Sequence, residues 1–124
     1  NDVMAAFKMP KETEEQKKKR SQAIQKGYKK AAEIPLETAQ TAKEVLHLSI
    51  NVARKGNKNS ITDAGVAALL GYSAVYAAAL NVEINLGSIK DKDFVNKMSD
   101  ELHTLRSESE KEKAMVGNIV KEYI

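Results

Sequence analysis

The chain has no cysteine and no tryptophan, and only two prolines and six glycines in 124 residues. Without cysteine there is no disulfide framework, no thiolate zinc site, no iron–sulfur cluster and no thiol nucleophile. Two histidines are too few for a histidine-rich metal site, so no metal is expected. Aromatics make up 5% of the chain, which argues against a β-sandwich. The sparse Gly and Pro exclude collagen-like and low-complexity classes. Charge of one sign is also lacking: 20 basic residues face 17 acidic ones, for a net charge of +3. That gives little counterion-release drive for nucleic-acid binding, and Lys17–Arg20 has no aromatic interleaving for base stacking. No charged-then-apolar targeting segment is read, and a cytoplasmic protein is expected.

What is there is helical periodicity from end to end. A single domain, 1–124, suits this length. Val3, Met4 and Phe7 have helical spacing, and Pro10 stops that segment. From Lys11 to Lys30 the chain is charge-dense, with acids ahead of bases and Ile24 and Tyr28 four apart, a surface helix. Pro35 reads as the first residue of a new helix whose stripe is Ala39, Ala42, Leu46, Ile50 and Ala53, ended at Gly56-Asn57. Thr62 or Asp63 caps the next helix, which runs to about Leu86. It carries no charge from Ala64 to Leu80, is rich in Ala and Gly, and is short of the ~20 apolar residues of a membrane span. It reads as the central helix of a packed core. Asp91 caps a long amphipathic helix with Phe94, Met98, Leu102, Leu105, Val116, Ile119 and Tyr123 in its stripe, and Ser109 and Glu112 between them. The fold class is all-α, a multihelical bundle-like array of about four helices and a truncated one.

The segment 57-NKNSITDAG-65 gathers two amides, two hydroxyls and a carboxylate where a helix begins. Helix N-termini offer unpaired N–H groups and partial positive charge. Asn57, Asn59 and Thr62 can present donors and acceptors to a heterocycle edge, and Asp63 can transfer a proton. The same residues also suit plain capping and turns. Asn81 and Asn85 lie one turn apart on one helical face, which indicates either a shared polar task or residues near a helix end that face water or cap a neighbour. Asp63 and Asn81 are five turns apart, ~27 Å along one axis. They serve different sites unless a two-fold partner brings Asn81 of one chain to Asp63 of the other. Lys11, after Met9-Pro10, can be held toward an anion or be an ordinary surface lysine. His47 and His103 have no partner at metal-ligand spacing.

Four collinear segments, 4-MAAFKMPK-11, 35-PLETA-39, 56-GNKNSITDAGVAALL-70 and 80-LNVEINLGSIKD-91, resemble the cyclodeaminase/cyclohydrolase family of folate enzymes. The resemblance implies an all-helical homodimer acting on a tetrahydrofolate derivative, with no cofactor beyond that substrate. The reaction is either cyclisation of a formimino group with loss of ammonia or hydrolytic opening of a methenyl bridge. Carried over, Asp63 is the catalytic carboxylate, transferring a proton or holding the pterin. Asn57, Asn59, Thr62, Asn81 and Asn85 bind substrate, and Lys11 pairs with a substrate carboxylate. Thr62 stands where the family usually has Ser. The family's longer N-terminal half is missing ahead of Asn1, which leaves open whether this part alone is active. The competing expectation is a non-catalytic helical dimerisation module; neither nucleic acid nor membrane is expected as a partner.

Overall fold

The computed structural model describes residues 2–124, and among them every regular element is a helix. α1 is Asp2–Phe7, α2 Glu14–Lys55, α3 Ile61–Leu86 and α4 Lys92–Lys121, with a 3-10 turn at Lys58–Ser60. The short-helix, Ala/Gly-rich-helix and long C-terminal-helix expectations all hold. The helix expected to start at Pro35 does not exist as a separate element. α2 runs 42 residues with Pro35 inside it. An interior proline leaves the carbonyl four residues back without its donor. That carbonyl belongs to Ala31, and the Asn85 side-chain amide of α3 donates to it at 3.2 Å. A tertiary contact thus supplies the bond that local sequence withholds, and the helix continues.

Thr13, not the Lys11 region, starts α2. Its hydroxyl accepts from Gln16 N, and the Gln16 side chain returns to the Thr13 N–H in a reciprocal capping box. Asp91 caps α4 as expected, accepting from Phe94 N at 3.1 Å. Neither Thr62 nor Asp63 caps α3. That helix begins at Ile61 behind Ser60, whose side chain makes no cap bond. The 3-10 turn already tightens the chain there, so the N-terminus falls earlier than the polar pattern suggests.

α2 and α3 form the central pair. Gly71 sets their closest approach: a Cβ there would lie 3.2 Å from the Leu46 Cβ and 3.3 Å from the Ala42 carbonyl oxygen. Two apolar clusters lie along the seam. One joins Ala32, Leu36, Ala79, Val82 and Leu86 to Met98 and Leu102 of α4. The other joins Leu46, Ile50, Ala53, Ala64 and Ala68 to Val116. α1 packs on α2 through Gly27, where a side chain would collide with Val3. Phe7 meets Tyr28 edge-on at 6.5 Å between ring centroids.

α4 covers only one flank of the pair. Lys43 and His47 of α2 reach Glu108 and Glu112 there, and Tyr72 of α3 donates to Glu110 at 2.6 Å. On the opposite flank α1 lies over α2 near Gly27, but among the described residues no helix covers α3 there, so α3 is not apolar because it is buried all round. Leu70 stays 66% exposed and Ile84 76%. By length and hydropathy alone α3 would pass as a membrane span. Its buried face is the α2–α4 seam, packed by small side chains.

Candidate functional site

The seven candidate site residues fall into two groups at opposite ends of α3. At its start, Asn57 is the first residue of the 3-10 turn's cap, and its Oδ1 accepts from Asn59 N at 3.0 Å. Asn59, Thr62 and Asp63 are exposed. Asp63 sits in the first turn of α3, where the helix dipole favours a carboxylate. No hydrogen bond or ion pair engages it among the described residues, so it is available to an incoming group. Thr62 borders an apolar groove of about 310 Å³ shared with Val66, Leu69, Gly117 and Val120, with Lys113 and Lys121 at its edge.

At the far end lie Lys11, Asn81 and Asn85. Lys11 lines a cleft of about 400 Å³ with Lys17, Arg20 and Lys90. Lys17 is paired with Glu14 at 2.6 Å, and Arg20 donates to the Phe7 carbonyl at 3.2 Å. Gln25 ties the α3–α4 connector into this end, donating to Ser88 O at 3.0 Å and accepting from Lys90 N at 2.8 Å. The Asp91 carboxyl below it is held under its ordinary range by the Lys29 ammonium and by the Phe94 N–H. The Asn81 amide donates to Ala77 O at 3.0 Å, and the Asn85 amide to Asn81 O at 2.8 Å as well as to Ala31 O. Asn85 thus commits both of its amide N–H groups to backbone and Asn81 one of its two. Each residue still has its side-chain oxygen as an acceptor for an N–H of another molecule.

Sequence reasoning missed Arg20, Gln25 and Lys90 as neighbours of Lys11. Lys90 is far from Lys11 along the chain, and only the fold of α3 against α2 brings them together. It also missed that Asn85 supports Pro35. The two residues belong to different helices, and an interior proline signals only that the carbonyl four residues back has lost its backbone donor.

Amide, hydroxyl and carboxylate groups thus gather at the start of an Ala/Gly-rich helix in an all-helical layer, and two amides and a lysine at its far end. The family model described as formiminotransferase-cyclodeaminase matches residues 1–104. The chain belongs to that family. It is 41% identical over 107 residues to the methenyltetrahydrofolate cyclohydrolase of Methylorubrum extorquens, covering 86% of this chain and 51% of that protein. It is 32% identical over 113 residues to the formimidoyltransferase-cyclodeaminase of Rattus norvegicus, covering 91% of this chain and 21% of that protein. The crystal structure of formiminotetrahydrofolate cyclodeaminase from Thermotoga maritima superposes with a TM-score of 0.82 at 28% identity, over 98% of this chain and 56% of that one. The chain thus spans about half the length of the bacterial relative.

Proposed function

We propose that this chain forms part of a folate one-carbon enzyme, either a formimidoyltetrahydrofolate cyclodeaminase or a methenyltetrahydrofolate cyclohydrolase, acting as a cytoplasmic homodimer without a resident cofactor. The observation that carries this reading is the pairing of the family match with an unengaged carboxylate, Asp63, on the start of α3. The same match favours an enzyme over a purely structural dimerisation module. In the cyclodeaminase reaction N10 attacks the formimino carbon on N5, a C–N bond forms, and ammonia leaves to give the methenyl bridge. In the cyclohydrolase reaction water adds to the methenyl carbon, the bond to N5 breaks, and 10-formyltetrahydrofolate results. Each passes through a tetrahedral carbon and needs a proton moved between nitrogen or water and the leaving group. Asp63 is the group that moves it. Asn57, Asn59 and Thr62 stand beside it as donors and acceptors for the pterin edge, with Asn81 and Asn85 offering acceptor oxygens and Lys11 countering a substrate carboxylate.

The ~27 Å between Asp63 and Asn81 along α3 exceeds what one small ligand spans from a single chain. A two-fold partner supplies the second set. The test is the rise or fall of methenyltetrahydrofolate absorbance with purified active protein. Replacing Asp63 by Asn is expected to lower turnover by about 10²- to 10⁴-fold while circular dichroism stays unchanged. Turnover near the parent level would remove Asp63 from the chemistry.

A further inference from the structure

The cleft near the start of α2 has two walls, and side chains of α2 fasten each of them. Lys17, Ser21 and Ile24 share one face of that helix and form the floor. Arg20 and Gln25 stand on opposite shoulders of this face, about 140° apart at ~100° per residue. From one shoulder Arg20 donates to the Phe7 carbonyl at 3.2 Å and lies over the Phe7 ring, 5.6 Å from its centroid. On the same side the Gln16 side chain accepts from the Glu12 and Thr13 N–H groups at 3.0 and 3.1 Å. The segment that carries Lys11 is thus held at both ends. From the other shoulder Gln25 donates to Ser88 O at 3.0 Å and accepts from Lys90 N at 2.8 Å. Ile89, between them, is buried in the core. Lys90 therefore stands on a fixed stretch of backbone.

Two of the four cations here are answered from within the chain. Lys17 pairs with Glu14, and Arg20 is taken by the Phe7 carbonyl. Lys11 and Lys90 are exposed, and among the described residues no ion pair or side-chain hydrogen bond engages either ammonium. Asp91, next to Lys90 in the chain, is drawn instead to Lys29 at 2.6 Å and to the Phe94 N–H. Two unanswered ammonium groups thus rise from opposite walls. The floor between them offers the Ser21 hydroxyl and the aliphatic Ile24 side chain. That combination suits an anion charged at two ends with methylenes between, since a lone carboxylate would use one wall only. The floor runs ~12 Å from Lys17 to Gln25. A volume of about 400 Å³ admits a five-carbon diacid, and the flexible lysine stems close the remaining distance.

We infer that this cleft is a dicarboxylate site in which Lys11 and Lys90 each take one carboxylate, with Gln25 as the positioning residue for Lys90. The inference rests on the folate reading above and deepens it. The glutamyl end of a tetrahydrofolate derivative carries two carboxylates, and Lys11 accounts for one of them. Lys90 answers the other. A free dicarboxylic amino acid offers the same chemistry. Exposed ion pairs contribute little one at a time. The gain here comes from making two at once on walls already held in place, so that little ordering is left to do on binding. Gln25 matters because it fixes the backbone from which the Lys90 side chain starts, while itself touching neither carboxylate.

Glutarate and butyrate, titrated into the isotope-labelled chain and followed by amide NMR, test the site without turnover. Glutarate is expected to bind at least about fivefold tighter than butyrate, with shifts at Lys11, Ser21 and Lys90. Lys90→Met should abolish that preference, and Lys90→Arg, which keeps the charge, should retain most of it. Gln25→Leu is expected to weaken glutarate about three- to fivefold alone and no further once Lys90→Met is in place, because its effect runs through Lys90. Additive losses overturn the positioning role. Equal affinity for the two acids, or a glutarate preference unmoved by Lys90→Met, overturns the site. In active protein, Lys90→Met should raise KM about three- to tenfold for methenyltetrahydrofolate, in KM and not in kcat. For the tetrahydropteroate analogue, which lacks the glutamyl end, KM should not move. Unchanged KM for both substrates, beside a glutarate preference that depends on Lys90, keeps the cleft for a free dicarboxylate and overturns its use by the folate. Absence of any folate turnover in the complete protein removes the reading on which the folate assignment rests, while the glutarate titration still decides the cleft.

Discussion

The two flanks of the α2–α3 pair differ in chemistry more than in hydrophobicity. The flank under α4 mixes small apolar residues with ion pairs: Lys43 to Glu108 at 2.8 Å, and Arg106 to both oxygens of Glu83. It even buries the Ser109 hydroxyl and one oxygen of Glu112 without a partner. The opposite flank carries no charge at its centre; α1 lies over its α2 side near Gly27, and among the described residues no helix covers its α3 side. Apolar content alone therefore does not say which face a chain covers for itself. The covered flank is recognised by charges placed to reach a neighbour, and the open one by their absence beside large exposed side chains.

The sharpest way to break this comparison is to enlarge one small residue on each side. Gly71→Leu is expected to lower unfolding free energy by about 3 kcal/mol in urea titration, since its neighbours are backbone and Leu46. Ala74→Leu on the open flank should change it by under ~0.5 kcal/mol at concentrations where the chain is monomeric. Equal costs would mean that both flanks are packed. Next in size is the Asn85–Ala31 bond. Asn85→Ala should cost about 1–2 kcal/mol by leaving a carbonyl without its donor. In a Pro35→Ala background, where a backbone N–H returns, most of that cost should vanish. A cost unchanged by Pro35→Ala would show that Asn85 serves something else. The smallest effect concerns acid. Glu108, held down by Lys43, and Asp91, held down by Lys29, both have carboxyls below their ordinary range in the folded chain. Such groups stabilise the fold above their unfolded values and lose that contribution as pH falls through the folded ones. The melting temperature should thus hold from pH 7 to about 5 and decline below the ordinary carboxylate range of about 4. Asp91→Asn should shallow that decline, and an unchanged slope would assign it to other groups.

Much of this was legible in the residues. Asp91, Gly56 and the long stripe of α4 announced their elements by local rules of capping and periodicity, which need no tertiary knowledge. Pro35 misled because its local penalty is real and is relieved only by a side chain fifty residues on. The chemistry of Thr62 and Asp63 suits a cap, while the 3-10 turn sets the helix start at Ile61. For the candidate site, residue types and spacing along α3 were visible, including the distance that separates Asp63 from Asn81. The cleft around Lys11 was not, since it is assembled from three chain segments by the packing of α3 on α2.

Pro35 has a mechanical consequence as well. α2 is a rod of about 63 Å with a single proline joint at its middle. Flexing that joint by 5° would swing the start of α2, some 30 Å away, through roughly 3 Å. The cationic cleft at that end rides on this arm, while Asn57 sits beyond the other. Asn85 acts as a latch across the joint, so one amide bears on how the two ends of the rod are aligned.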